Sequence, residues 1–361
     1  MTLGSRHRAR SAVAAVAGLL ALAACGGHSG PPGPPKAGQA RVIGEASGDG
    51  GIGSEVAGDT RGVAAGPGGT VYVNTDEYLV RLGADGKFTD VSGRQAGRPA
   101  PEDRGLSGLV VRGDGTLLTG EDGQVVSIAP DGTITELAGT AGAFRSLTAA
   151  VPTSAAAAGF HFARGVTPLG VEKDGTVLIE DSNVVWSLSN GRLTQRYRQA
   201  AAKSPTGAVS PFLGEESTAD PDGTVFLAPR GDSASLADVV VVPGDGQAAH
   251  KLAVPSQLTG ADVPTAQLQP TFLTGDGTGG IYLNAIPAKA PGSYVLHIHD
   301  GRADIVASST ASAASGTCKA HKPVAARDFP CTLPQALAYR AGHLYLAGNR
   351  PYILDIGVPT S

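Results

Sequence analysis

The sequence predicts an all-β fold in which six four-stranded antiparallel units close into a ring. Three observations predict it. Of 361 residues, 52 are Gly and 25 are Pro, and both interrupt helices. The apolar fraction of 41% is too high for a disordered chain, so a packed core is expected. Third, one motif recurs along the chain: apolar strand, Asp-Gly-type turn, apolar strand, short gap, apolar strand, second Asp-Gly-type turn, last strand. Its clearest copy runs from Leu109 to Gly120 and from Gln124 to Leu137.

The elements follow in order. Residues 1–24 read as a signal peptide. Arg6, Arg8 and Arg10 precede the apolar run Ser11 to Leu20, which is too short to span a bilayer. The run leads into Leu22-Ala23-Ala24-Cys25, which resembles a bacterial lipoprotein signal. That resemblance implies cleavage before Cys25 and diacylation of its side chain and amine. Two acyl chains are sufficient for stable anchoring. Loss of three arginines takes the formal charge from −4 to −7, so nucleic acid is not an expected partner. Residues 25–40, with Gly-Gly-His-Ser-Gly-Pro-Pro-Gly-Pro-Pro, form an extended tether.

Residues 41–361 hold the repeat. First turns fall at 66–69, 113–115, 173–175, 221–223, 275–280 and 340–342. Second turns fall at Asp85-Gly86, Asp131-Gly132, Asn190-Gly191, Asp245-Gly246 and Asp300-Gly301. Asp-Gly and Asn-Gly between apolar runs signal hairpins, because both residues tolerate positive φ. Six units give a six-bladed β-propeller with roughly 53 residues per blade, slightly above the common propeller repeat. The last unit supplies three strands (336–339, 343–347 and 352–356) and leaves too few residues for a fourth. Arg41-Val42-Ile43 is expected to complete that blade and close the ring, which removes exposed edges.

Gly62-Val63-Ala64, Thr70-Val71-Tyr72-Val73 and the preceding Ser47-Gly48-Asp49-Gly50-Gly51 resemble the NHL-repeat type of six-bladed propeller. The resemblance implies the fold and leaves the activity open. Of three cysteines, Cys318 and Cys331 remain once lipid takes Cys25. Both sit in one Ser/Ala/Pro-rich loop of an exported chain, where a disulfide is expected.

In such a ring the Asp-Gly turns of every blade share one face, here the turn face. The short gaps and the connections between blades share the other, the loop face. The connections are long: 92–105, 138–166, 195–217, 254–269 and 307–334. Long loops on a rigid frame carry function. The gaps carry Asp76, Glu77, Glu121, Asp122, Glu180 and Asp181, and the connections carry Arg145 and Arg164 among other arginines. These eight residues are the candidate ligand-binding set. His297 and His299 alternate on a strand, so both point to one side. Two readings of this pair are a metal pair or packing between blades. No carboxylate or Cys ligand lies close in sequence, so packing is expected and no metal or cofactor is assigned.

No zincin, nucleophile-elbow or phosphate-loop motif is present. The sequence therefore reads as a monomeric, lipid-anchored binding module on the extracytoplasmic face of the cell membrane, with a protein, peptide or glycan as ligand. The rival reading is an enzyme of lyase or metal-dependent, lactonase-like type, acting in the central mouth.

Overall fold

The turns show why this sequence folds into hairpins. Asp114, Asp131, Asp174 and Asp222 are each followed by Gly and Thr. In all four the Thr N–H donates to the Asp Oδ1 at 2.9 Å. The intervening glycines take φ between +84° and +90°, which side chains with a Cβ resist. The same N–H bonds hold the exposed carboxyls of Asp114, Asp131 and Asp174 below the usual carboxylate range.

The computed structural model describes residues 33–45, 60–75, 77–83, 86–93, 104–147, 149–163, 165–199, 202–203, 209–210, 217–228, 235–261, 263–288, 291–310 and 318–360. The signal peptide, Cys25, Asp76 and Arg164 lie outside them. Six antiparallel sheets form the ring. Blade I comprises Gly62–Ala65, Val71–Asn74, Leu79–Leu82 and Phe88–Asp90. Blade II comprises Leu106–Val111, Leu117–Glu121, Gln124–Ile128 and Ile134–Gly139. Blade III comprises Val166–Val171, Val177–Asp181, Val184–Ser189 and Arg192–Arg198. Blade IV has shorter strands, Thr218–Ala219, Val225–Leu227, Val240–Val242 and His250–Lys251. Blade V comprises Leu268–Gly275, Ile281–Pro287, Ser293–His299 and Arg302–Ser309.

Blade VI closes the ring. Its first three strands are Ala336–Arg340, His343–Ala347 and Tyr352–Gly357, and its fourth is the N-terminal Gln39–Glu45. The pairing runs antiparallel from Ala40 opposite Ile356 to Glu45 opposite Tyr352. The expected Arg41–Ile43 strand is thus present and two residues longer at each end. Buried Asp355 locks it: its Oδ2 accepts from Arg41 at 3.4 Å and its Oδ1 meets His343 Nδ1 at 2.7 Å. Two blades also gain a short fifth strand from the long connections. Ser154–Ala156 pairs with the fourth strand of blade III, and Val324–Ala325 with Gln39 and Ala40.

The core is divided between the blades. One apolar cluster fills each of the six junctions. In the junction of blades II and III, fully buried Trp186 packs edge-on to Phe160 with ring centroids 5.2 Å apart. In the junction of blades V and VI, Cys318 and Cys331 form the expected disulfide, with Cα atoms 5.8 Å apart. Among the described residues, helix is confined to three-residue 3₁₀ turns, and no helix is long and apolar enough to cross a membrane.

Candidate functional site on the loop face

The first strands of all six blades line a central channel of about 350 Å³. Its wall mixes Gly, Ala and Thr with larger apolar side chains such as Leu109, Leu169, Phe272 and Tyr339. Charge is concentrated near its ends, with Arg61 toward the loop face and Asp220, Asp276 and Arg340 toward the turn face.

On the loop face, the predicted acids fall into two groups. Glu121 ends the second strand of blade II and is buried, 3.4 Å from the equally buried Arg104. Arg104 also donates to the carbonyls of Ser92 at 2.6 Å and Gly93 at 3.3 Å. This guanidinium therefore ties the end of blade I to blade II. Asp181 ends the equivalent strand of blade III and is fully buried. Its carboxylate accepts from Arg145 at 2.7 Å, from the Ala163 N–H at 2.6 Å and from the Trp186 indole at 3.3 Å. These bonds fasten the connection between blades II and III to the frame. Glu180 is buried beside it. Asp122 and Glu77 are exposed. Arg145, Glu121 and Asp181 are thus committed to internal pairing, while Glu77 and Asp122 are open to solvent. A buried charge left without its partner costs several kcal/mol, so these pairs fix the connections in place.

A pocket of about 340 Å³ opens there, between the loop ends of blades I, II and III. Arg61, Arg104, Ser107, Glu121, Asp122 and Phe144 line it. Asp122 occupies the tight turn between the second and third strands with φ +44°, followed by Gly123 at +83°. Phe144 lies across that turn, close enough that a Cβ on Gly123 would stand 2.9 Å from its ring. Phe144 and Leu147 are the large hydrophobic side chains left exposed among the described residues, at 48% and 36%. Sequence reading singled out the connection that carries them and missed these two residues. An apolar pair in a stretch of Ala, Gly and Thr was the available signal.

The histidine pair differs from its sequence reading. His297 Nε2 lies 2.8 Å from Asp276 Oδ2, and His299 Nε2 lies 3.2 Å from Asp304 Oδ2. Carboxylates are therefore at hand, contrary to that reading: Asp300 is adjacent to His299 and 3.6 Å from it, Asp304 is five residues on, and Asp276 is 21 residues from His297. The ring of His297 also stacks on Tyr282 at 4.2 Å, so packing within the blade is part of its role. Burial works against the ionised form of Asp276. Hydrogen bonds from His297, Thr278 and Gly280 outweigh it and hold the carboxyl at about 2. Neighbouring Asp220 behaves in the opposite way. Burial, then the charges of Asp222 and Asp276, push it up to about 7 despite N–H bonds from Gly277 and Gly279.

No protein-family profile matches the sequence, and no curated protein matches it. Solved structures do match the fold. The chain is similar to a protein of unknown function from Bacteroides thetaiotaomicron VPI-5482, at 14% identity and TM-score 0.58, over 88% of this chain and 75% of that one. It is similar to a putative gluconolactonase at 14% identity and TM-score 0.52, over 90% of this chain and 93% of that one. The chain is a six-bladed β-propeller. At these identities the likeness extends to the fold alone.

Proposed function

We propose that this propeller is a lipid-anchored binding module on the extracytoplasmic face of the cell membrane, taking a protein or peptide segment on its loop face. The observation that carries this reading is the exposed Phe144, which lines a pocket together with Arg61, Arg104, Glu121 and Asp122, with exposed Leu147 three residues further along the same connection. An exposed aromatic next to a polar pocket on a rigid frame is the usual anatomy of a recognition patch. The NHL resemblance and the lipoprotein-like Leu22 to Cys25 support the same reading.

The chain's path adds to it. Ala37 bridges to Gly357, and Val358 N–H donates to the carbonyl of Gly342 in the first turn of blade VI. Residues 37 and 38 therefore meet the ring on its turn face, which leaves the loop-face pocket uncovered by them. For the lactonase-like alternative, a converging ligand set is required, and among the described residues no three His, Cys, Asp or Glu side chains come together to hold a metal ion.

The test is capture from an envelope extract. The parent is expected to retain a partner that Phe144→Ala/Leu147→Ala and Asp122→Asn variants lose, with circular dichroism unchanged. A partner held equally by parent and variants places the binding elsewhere.

A further inference from the structure

We propose a second binding site, on the turn face between blades V and VI, for a small molecule that carries an amine on an apolar body. A cavity of about 910 Å³ lies there, away from the loop-face pocket. Its volume suits a drug-sized ligand. One wall is a ladder of rings. Tyr282 stacks on His297 at 4.2 Å, and His297 meets His299 at 4.3 Å. Tyr339 of blade VI backs Tyr282 at 5.0 Å. Ile305, Val306, Ala325 and Pro359 add apolar surface to the lining.

The polar groups select the charge of the occupant. Asp276, Asp300 and Asp304 all line the cavity. Asp276 is held by Thr278 N–H at 2.7 Å, Thr278 hydroxyl at 2.8 Å and Gly280 N–H at 3.0 Å. These bonds stabilise its ionised form. The cations are fewer. Arg327 spends Nε and one Nη on the Ile305 carbonyl, at 3.1 and 2.9 Å. Arg302 stands at the rim, 3.8 Å from Asp304 and largely exposed. Three carboxylates line the cavity with one guanidinium, Arg327, and His299 lies between two of them, 3.6 Å from Asp300 and 3.2 Å from Asp304, so the lining is rich in carboxylate acceptors. A ligand that donates hydrogen bonds and carries positive charge matches it, and π-rich side chains favour a cation nearby. An anion of the same size meets three carboxylates of its own sign.

Isothermal titration of the purified propeller with phenethylamine, phenethyl alcohol and 3-phenylpropanoate tests the proposal. The amine is expected to bind at least tenfold more tightly than the alcohol or the carboxylate. Asp304→Asn and Asp300→Asn, on exposed or half-exposed carboxylates whose loss leaves the fold intact, are each expected to weaken the amine severalfold. The proposal is overturned if the amine gives no saturable heat at millimolar concentration, if the carboxylate binds as tightly, or if the double Asn variant binds the amine as the parent does.

Discussion

Replacing Asp220 with Asn removes one negative charge from the inner wall of the propeller and is expected to stabilise it above neutral pH. Asp220 is 2% exposed and sits where blade IV meets blade V. Its Oδ1 accepts the Gly277 N–H at 3.3 Å, and its Oδ2 has no hydrogen-bond partner. The carboxylate fits against the bare Cα of Gly275, where a Cβ would lie 1.6 Å from Oδ1. The charges facing it are those of Asp222 and Asp276, the latter held by His297, with the Gly277 and Gly279 amides opposing them. Its carboxyl titrates at about 7 in the fold and at 3.8 in a free chain. A raised acid favours the folded state while protonated. Stability is therefore greatest below the unfolded value, falls between pH 3.8 and about 7 as the unfolded chain ionises first, and stays reduced above that. Each pKa unit is worth about 1.4 kcal/mol, so the full effect is on the order of 4 kcal/mol at most. Urea unfolding of parent and Asp220→Asn, run from acidic to mildly alkaline pH, reads it directly. The stability difference in favour of the variant should grow by about 2–4 kcal/mol across that range. A difference that stays constant with pH refutes the reasoning.

Three further outcomes are expected. Replacing Cys318 and Cys331 together with Ser should cost about 3 kcal/mol in denaturant unfolding, the chain-entropy value for a loop of this length, and an unchanged midpoint would assign the bridge no stabilising role. A form beginning at Ser54 lacks Gln39–Glu45 and should melt lower and aggregate through the bared edge of blade VI; equal melting and solubility would contradict closure by that strand. Cys25→Ser should move the protein from the membrane fraction to the soluble one, and retention in the membrane would rule out the lipid anchor.

The ring was legible because its turns are local. Asp-Gly-Thr writes its own geometry within three residues, and the short count of strands in the last unit points to Arg41–Ile43 as its closure. The disulfide was legible by elimination once Cys25 was set aside. Pairings across sequence were not. Arg145 reaches Asp181 over 36 residues and Arg104 reaches Glu121 over 17, so the predicted polar mouth turns out to be partly a set of buried struts. The turn-face cavity was hidden for the same reason. His297 and His299 stood out in the sequence, and Asp300 and Asp304 were within five residues of His299, but only the pairing of blade V's strands sets the distant Asp276 against His297. Short turns look unsuited to specialisation, yet the longer Gly275-Asp-Gly-Thr-Gly-Gly280 turn departs from the others and builds one wall of that cavity.

Hydrogen–deuterium exchange of the propeller, with and without the partner captured from envelope extract, tests loop-face recognition most directly. The account predicts slowed exchange at 104–107, 121–123 and 140–147, around Phe144 and Asp122, and no change in the turns at 112–116, 129–133 and 172–176. Protection confined to the turn face would contradict it.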